Sequence, residues 1–331
     1  MDPLSDVLSA IRLDGAVYID AEFTAPWCVE TRYGLHTARP ELPTSDHIVF
    51  FHLLTHGACF ARLAKGQEIV KVKAGDLLLL PNDDLHVLGS DLSLAAEDMR
   101  NSPLPAGGLV ELRHGGGGEA TRFICGYLAC DRRASRTLLG SLPPMLRLEL
   151  GDISLRGWLA DLLRLGVVES RAQKPGSHSL LAKLSELAFT EALRRYAQSG
   201  APELKGWLAG LQDPFVGRAL ALLHGQPTRD WSVDELAREV ALSRSGLAER
   251  FSSMIGEPPI QYLTRWRLTL AAQALRRNSD AIALVAERSG YESEASFTRA
   301  FKREFGVPPT VWRRTGGHGA ADSSSGRPLP E

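Results

Sequence analysis

The sequence has few cysteines and no long apolar run, and each shortage excludes a class of protein. Four Cys among 331 residues are too few for a disulfide framework. No stretch of about 18 uncharged apolar residues occurs, which excludes a transmembrane helix. The acidic N-terminus, Met1-Asp2-Pro3, lacks the apolar run of a signal peptide. We therefore expect a cytoplasmic protein with reduced thiols and no membrane partner.

The chain also lacks an excess of charge of one sign. Its formal net charge is -1, from 38 Lys and Arg against 39 Asp and Glu, which excludes a coat-like nucleic-acid binder. The charges are unevenly distributed, however. Residues 1–150 carry 14 basic and 19 acidic side chains, whereas residues 211–315 carry 15 and 12. The C-terminal part is thus mildly basic, and its non-specific affinity for DNA should be modest and salt-sensitive.

Periodicity and composition divide the chain into four parts. Residues 1–150 alternate short apolar runs with Gly and Pro turns, as in a β-sandwich or barrel. Residues 151–210 form a helical linker that includes a helix from about Ser177 to Gln198. Its stripe of Leu180, Leu184 and Leu187 suits either a dimer contact or a core-facing helix. Residues 211–315 are helical, and residues 316–331 are predicted to be a disordered tail.

An internal repeat lies within residues 211–315, and each copy has the pattern of a helix-turn-helix. The first copy matches the second at an offset of 49 residues before the turn and 50 after it, so the second turn is one residue longer. The matching positions are Leu236-Ala237 with Val285-Ala286, and Leu247 and Phe251 with Phe297 and Phe301.

Caps and a connecting helix complete this pattern. Ser232 and Glu235 form a capping box, and Ser243 and Ser293 can cap the two second helices. Pro258-Pro259 opens a connecting helix that runs to about Arg277. Its length of roughly 28 Å approaches the roughly 34 Å of one DNA turn. The spacing predicts two helices in successive major-groove segments on one face of double-stranded DNA.

Residues 213–314 resemble the DNA-binding domain of AraC/XylS-type transcription regulators. The resemblance implies that the second helix of each copy enters the major groove, and it covers about 100 residues. The residues that carry it are Leu242-Ser243-Arg244-Ser245, Gly256-Glu257-Pro258-Pro259, Arg265-Trp266-Arg267-Leu268, Gly290-Tyr291, Ser296-Phe297, Arg299-Ala300-Phe301-Lys302 and Phe305-Gly306-Val307-Pro308-Pro309. The DNA-binding positions carried over are Arg244, Ser245, Ala248 and Glu249 in the first copy, and Glu294, Ala295, Thr298, Arg299 and Lys302 in the second.

The chemistry of these side chains differs. Ala248 and Ala295 offer only apolar contact to a thymine methyl group, whereas Arg299 suits a guanine edge or a phosphate. Glu249 suits a cytosine amino group, or else an intrahelical partner such as Arg250 or Arg244.

Residues 1–150 resemble the cupin-type sensory domain found in some members of the same family. The segments that carry this resemblance include Ala25-Pro26-Trp27, Phe51-His52-Leu53, Gly75-Asp76-Leu77, His86-Val87-Leu88, Cys125-Gly126 and Leu142-Pro143-Pro144. Asp83 stands where the second cupin signature has Gly. The resemblance implies an α+β fold of two domains. A cupin-like antiparallel β-barrel followed by helices precedes an all-α domain with two helix-turn-helix motifs and a linking helix.

Metal-binding cupins use three His and a Glu, and this sequence lacks their His-x-His pair and the following Glu. His52 and His56 are four residues apart, about 13 Å along a strand, which is too far to share an ion unless the strand bends. A structural or surface role is therefore favoured for these histidines, and no cofactor is expected. His52 and His86 are the first residues to test for a metal, and they are also the candidates for effector binding.

Three hypotheses follow. The first is a transcription regulator that senses a small molecule or a stress signal, with a homodimer expected and RNA polymerase as a candidate partner. The second is a metal-dependent cupin enzyme with an accessory helical domain. The third is a regulator with a thiol-based redox input through Cys28 or Cys125, because related regulators include oxidant sensors. Cys125 lies in an apolar strand, where packing is its simpler role.

Overall fold

The computed structural model describes residues 2–11, 13, 18–34, 46–99, 109–149, 161–162, 165–166, 168–169, 175–200 and 204–315. The chain divides into two compact units. The strand unit consists of Leu13–Cys130 and Leu142–Glu203, and the helical unit of Met1–Arg12, Asp131–Ser141 and Leu204–Glu331. Met1–Arg12 and Asp131–Ser141 thus belong to the helical unit. This division differs from the predicted domain boundaries at residues 150 and 210. The predicted tail, 316–331, and most of residues 151–174 lie outside the described residues.

The strand unit contains two sheets. Their strands are β1 (Tyr18–Thr24), β2 (Cys28–Thr31), β3 (His47–His56), β4 (Ala58–Leu63), β5 (Val70–Lys73), β6 (Asp76–Leu80), β7 (His86–Gly89), β8 (Glu97–Asp98), β9 (Leu109–Gly115), β10 (Ala120–Cys130) and β11 (Leu146–Glu149). The first sheet has the order β11-β6-β3-β10-β1-β9, and the second has the order β5-β4-β7-β2-β8.

The two-domain α+β layout is confirmed, but the closed antiparallel barrel is corrected. In the described part of the chain, β11 and β9 remain edges of the first sheet, and β5 and β8 remain edges of the second. β9 pairs parallel with β1, and β8 pairs parallel with β2. An alternating sequence pattern fixes which face of a strand is buried, but it does not fix the strand's neighbour or direction.

Both sheets contribute to one hydrophobic core. Alternate residues of β3, including Phe50 and Leu54, face this core together with Leu88 of β7 and Phe123 of β10. Because side chains alternate along a strand, His52 points to the same side as Phe50 and Leu54. The strand pattern thus places a histidine inside an otherwise apolar core.

The structure shows how Asp83 replaces the glycine of the second cupin signature. Its backbone has φ 51, in the left-handed region that favours glycine. Its buried carboxylate accepts hydrogen bonds from the backbone N–H groups of Tyr33 and Gly34, at 2.9 and 2.6 Å. The side chain therefore stabilises a turn that glycine would satisfy by backbone freedom alone.

Eleven helices are described. The predicted helix Ser177–Gln198 is confirmed, and it packs against β10. They are α1 (Pro3–Ala10), α2 (Arg132–Leu139), α3 (Ser177–Gln198), α4 (Gly206–Gln212), α5 (Val216–Gly225), α6 (Val233–Glu239), α7 (Arg244–Ile255), α8 (Pro259–Arg277), α9 (Ile282–Arg288), α10 (Glu294–Phe305) and α11 (Pro309–Arg314). None of these helices meets the length and hydropathy needed to cross a bilayer.

The linking helix α8 organises the C-terminal half of the helical unit. Its apolar face, with Leu268, Ala272 and Leu275, packs into one cluster with α9, α10 and α11. The buried Trp312 of α11 donates its indole N–H to the carbonyl of Ala272 at 3.1 Å. This bond satisfies the indole inside an apolar environment and anchors α11 on the linking helix.

Candidate functional site

The two helix-turn-helix copies share the same local structure at the predicted offset. The second helix of each copy, called its recognition helix below, is α7 in the first copy and α10 in the second. These helices each contain 12 residues and begin 50 positions apart, at Arg244 and Glu294. Ser243 and Ser293 cap them by accepting the N–H of the residue three positions on. Both end at a glycine, Gly256 or Gly306, in the left-handed conformation. The predicted caps and duplication are confirmed.

The turns of the two copies begin in the same way, although the second is one residue longer before its cap. Ala241 in the first turn has φ 58, and Gly290 in the second has φ 78. In both copies the N–H of the following residue bonds to a carbonyl near the end of the first helix, Ala237 or Ala286. A left-handed residue is thus part of the turn geometry, and Ala241 adopts this conformation despite its Cβ.

The predicted contact residues of the first copy lie along the N-terminal half of α7. Arg244, Ser245 and Glu249 are exposed and Ala248 is half-buried, whereas Leu247 and Phe251 lie in the core. Arg244 pairs with Asp234 of α6 at 3.3 Å, and its side chain is 70% exposed. A surface pair of this kind contributes little to stability, so Arg244 can exchange Asp234 for another anion.

Glu249 does not pair with Arg244 or Arg250, its two candidate partners within α7, because both arginines are bonded elsewhere. Arg250 is bonded to Asp213, at 2.9 Å from Nε to Oδ2, and Arg244 is paired with Asp234. Within the described residues, no ion pair involves Glu249. Its side chain is exposed to solvent.

The second copy presents a more open surface. Glu294, Ala295, Arg299 and Lys302 are exposed and Thr298 is half-buried, while Phe297 and Phe301 are buried. These five outward positions lie on one face of α10. Among the described residues, Arg299 and Lys302 form no ion pair, so both cations are available to a phosphate or a base edge.

In the strand unit, three sequence candidates meet in a hydrogen-bonded chain. Nδ1 of His52 lies 2.8 Å from Sγ of Cys125, and Nε2 of His52 lies 2.8 Å from Nε2 of His86. Cys125 and His52 face each other directly across β10 and β3. His86 belongs to the second sheet, so its bond to His52 links the two sheets through the core.

The direction of these bonds follows from the last acceptor. Nδ1 of His86 lies 2.8 Å from the carbonyl oxygen of Asp84, which can only accept, so this nitrogen carries the proton. In neutral His86, Nε2 then accepts from Nε2–H of His52. Neutral His52 in turn accepts at Nδ1 from the thiol of Cys125. One consistent assignment therefore satisfies the whole chain with neutral groups.

Burial keeps the three hydrogen-bonded side chains of His52, His86 and Cys125 neutral. Burial, followed by the neighbouring His86, holds the pKa of His52 well below its ordinary value, and burial lowers the pKa of His86 to about 4. Burial also raises the pKa of the Cys125 thiol and that of the buried Cys28. A thiol that stays protonated reacts slowly with oxidants, which weakens the case for a redox role of either cysteine in this state.

The ring nitrogens of His52 and His86 and the sulfur of Cys125 do not point toward a common centre that could hold a metal ion. His52 uses both ring nitrogens in opposite directions, and His56 at the end of β3 is exposed. Within the part of the chain that the structure describes, no three His, Cys, Asp or Glu side chains are placed to hold a metal ion. The contact between Cys125 and His52 was missed from sequence because 73 residues separate them.

The chain is similar to known proteins over both its strand-rich and its helical part. A family profile described as Cupin matches residues 2–198, and one described as Helix-turn-helix domain matches residues 236–315. A putative AraC-like transcription regulator from Streptomyces lividans is 31% identical over 323 residues, which cover 95% of this chain and 98% of that protein. A protein of the same description from Streptomyces antibioticus is 30% identical over 321 residues, covering 95% and 99%.

One solved structure is similar over the C-terminal region. It is the DNA-binding domain of AdpA, a global transcriptional factor, in complex with a target DNA. The sequence identity is 27%, the match covers 31% of this chain and 92% of that chain, and the TM-score is 0.30.

Proposed function

We propose that this chain, which belongs to the AraC-like family of transcription regulators, binds promoter DNA through the outward faces of both α7 and α10. The family is one of DNA-binding regulators, and the metal-dependent enzyme hypothesis is therefore corrected. The observation that carries the proposal is the pair of equally capped 12-residue helices that begin 50 residues apart. Each presents a polar face and buries the opposite one.

The contact residues proposed are those of these outward faces. In α7 they are Arg244, Ser245, Ala248 and Glu249, and in α10 they are Glu294, Ala295, Thr298, Arg299 and Lys302. Arg244 and Arg299 are expected to contribute most, because arginine forms bidentate bonds with guanine or phosphate.

The test is titration of a duplex that the full chain selects from a random library. Arg244→Ala and Arg299→Ala should each weaken specific binding by about tenfold, as expected for one lost base or phosphate contact. Arg218→Ala is the matched control, since Arg218 is an exposed arginine of α5 outside both recognition helices. Wild-type affinity in both recognition-helix variants, with a normal melting temperature, would remove the residue assignment.

We further propose that the strand unit senses a small molecule or a stress signal. The cupin profile over residues 2–198 supports this. His52 and His86 remain the candidate effector residues, but both are buried and bonded to each other. An effector that contacts them must open this bond. Serine replacement of Cys28 and Cys125 with an unchanged transcriptional response to oxidants would leave the small-molecule input and exclude the redox alternative at these positions.

A homodimer is proposed through α3, and RNA polymerase is proposed as a partner at the promoter. Leu180 and Leu187 on α3 are 38% and 45% exposed, whereas Leu184 is 7% exposed. The predicted stripe thus divides into a core residue and two outward leucines. Leu180→Asp with Leu187→Asp should reduce the mass measured by sedimentation to that of a monomer. An unchanged mass would place any dimer contact elsewhere.

A further inference from the structure

The side chain of Arg267 contacts the segment that leads into the first helix-turn-helix copy and the turn of the second copy. This half-buried residue of α8 donates from Nε to the carbonyl of Pro227 at 2.5 Å and from Nη2 to the carbonyl of Arg229 at 2.7 Å. Residues 226–231, the lead-in segment, directly precede the capping box of the first copy at Ser232.

The same guanidinium also lies close to the second copy. A Cβ atom added to Gly290 would come within 3.2 Å of Nη1 and 3.3 Å of Cζ of Arg267. Gly290 is the left-handed residue of the second turn, three positions before the cap of α10. One side chain thus touches the approach to α6 and the turn before α10.

Both contacted segments are themselves held in place. In the lead-in segment, the indole of Trp231 donates to the carbonyl of Gln226 at 3.2 Å, and the guanidinium of Arg229 stacks 3.9 Å over the same ring. In the second turn, the N–H of Gly290 bonds to the carbonyl of Glu287 at 2.9 Å. A contact between two ordered segments transmits orientation, whereas a contact to a loose loop does not.

Arginine suits this position for a specific reason. Its planar fork reaches two carbonyls at once, and its flat face packs on a residue without a side chain. The ammonium group of lysine is a point charge that reproduces neither feature.

We propose that Arg267 is a positioning residue that fixes the orientation of the two recognition helices relative to each other, and so sets the separation of the two DNA segments bound. It does not contact DNA in this role. The inference rests on the proposed function, in which both helices bind one duplex.

The experiment measures how affinity depends on the spacing within the DNA. The full wild-type chain first selects a duplex from a random library, and derivatives then carry one base pair added or removed between the two protected segments. Each base pair rotates one segment by about 34–36° relative to the other. Wild-type affinity should fall steeply with either change. In Arg267→Ala the selected duplex should bind about fivefold more weakly, and the loss on changing the spacing should be several-fold smaller than in wild type.

Arg277→Ala is the matched control. Arg277 is an exposed arginine of the same helix, and within the described residues its side chain makes no hydrogen bond or ion pair. This variant removes the same charge but should keep the wild-type dependence on spacing. Arg267→Lys keeps the charge without the fork and should behave like Arg267→Ala, and it replaces that variant if Arg267→Ala melts below the assay temperature.

The outcomes separate the two proposals. A folded Arg267→Ala or Arg267→Lys variant with the full wild-type spacing penalty overturns the positioning role and leaves the proposed function intact. A wild-type chain that is indifferent to spacing contradicts the two-helix binding itself. The inference is supported if changing the spacing costs the Arg267 variants less affinity than wild type, while Arg277→Ala keeps the full wild-type loss.

Discussion

The Nε2 atoms of His52 and His86 lie 2.8 Å apart in the core shared by the two sheets. This bond is the middle link of a chain that begins at the thiol of Cys125 and ends at the carbonyl of Asp84. A buried chain of this kind stabilises the fold only when each donor has an acceptor, because an unmatched buried polar group is costly. The strand unit therefore depends on the neutral state of these three side chains.

Removing the thiol should cost more than the loss of a small apolar side chain. Cys125→Ala leaves Nδ1 of His52 buried without a donor, at a cost of about 1–3 kcal/mol in the free energy of unfolding. Cys59→Ala is the control, since Cys59 is equally buried in the same core. Cys125→Ser, which restores a donor, should recover part of the loss. Urea unfolding curves measure the difference, and equal losses at 59 and 125 would show that the bond contributes nothing.

The same histidines should make the protein sensitive to mild acid. Burial lowers the pKa of His86 from 6.5 to about 4, and the pKa of His52 is also well below 6.5. Between pH 6.5 and about pH 4, the unfolded protein binds protons at these histidines that the folded protein does not. Their contribution to the free energy of unfolding is therefore fully present above pH 6.5 and is lost as the pH falls toward 4. Each histidine contributes up to about 1.4 kcal/mol per pH unit.

Urea titrations at several pH values test this slope. His86→Gln should show a shallower fall in the free energy of unfolding below pH 6.5 than wild type. His56→Gln, at an exposed position on the same strand as His52, should keep the wild-type slope. A His86→Gln variant with an unchanged slope would mean that other groups cause the acid sensitivity. The buried His224 of the helical unit, whose pKa is also lowered to about 4 by burial, is the first of these.

The helical unit was largely predictable from sequence because its signals are local. Serine caps, terminal glycines and the Pro-Pro pairs fix where α7, α8 and α10 begin and end, and each signal acts within a few residues. The hydrogen bonds that link the side chains of Cys125, His52 and His86 could not be predicted in the same way. They depend on which strand lies beside β3 and on which sheet carries β7, and alternation in the sequence specifies neither. The contact of Arg267 with Gly290 likewise requires the packing of the second copy on α8.

Asp213 provides a stability test in the helical unit. Its buried carboxylate accepts the backbone N–H groups of Phe215 and Val216, at 3.0 and 2.9 Å, and also bonds to Arg250. The hydrogen bonds from Arg250 hold the pKa of Asp213 below its ordinary value despite burial. Asp213→Ala should lose at least the two hydrogen bonds from the backbone, about 1 kcal/mol. Asp213→Asn retains an oxygen that can accept them and should lose less. Thermal unfolding that ranks Asn below Ala in stability would contradict this account.

The N-terminal helix should stabilise the helical unit although it lies far from the repeat in sequence. Val7 and Ala10 of α1 are buried, and the carbonyls of Ser9 and Ala10 accept hydrogen bonds from Gln273 and Arg276 of α8, at 2.7 and 3.3 Å. Val7→Asp places a charge in this buried contact and should lower the free energy of unfolding by about 2–3 kcal/mol.

Ser9→Asp is the matched control for this helix, because it adds the same charge at an exposed position. Limited proteolysis gives a second measurement, in which α1 of Val7→Asp should be cut well before α8 while both remain resistant in the control. If Val7→Asp melts and is cleaved like wild type, α1 contributes nothing to the helical unit. If it is destabilised as expected, the first ten residues belong energetically to the DNA-binding part of the chain, since α8 is the helix that joins the two copies.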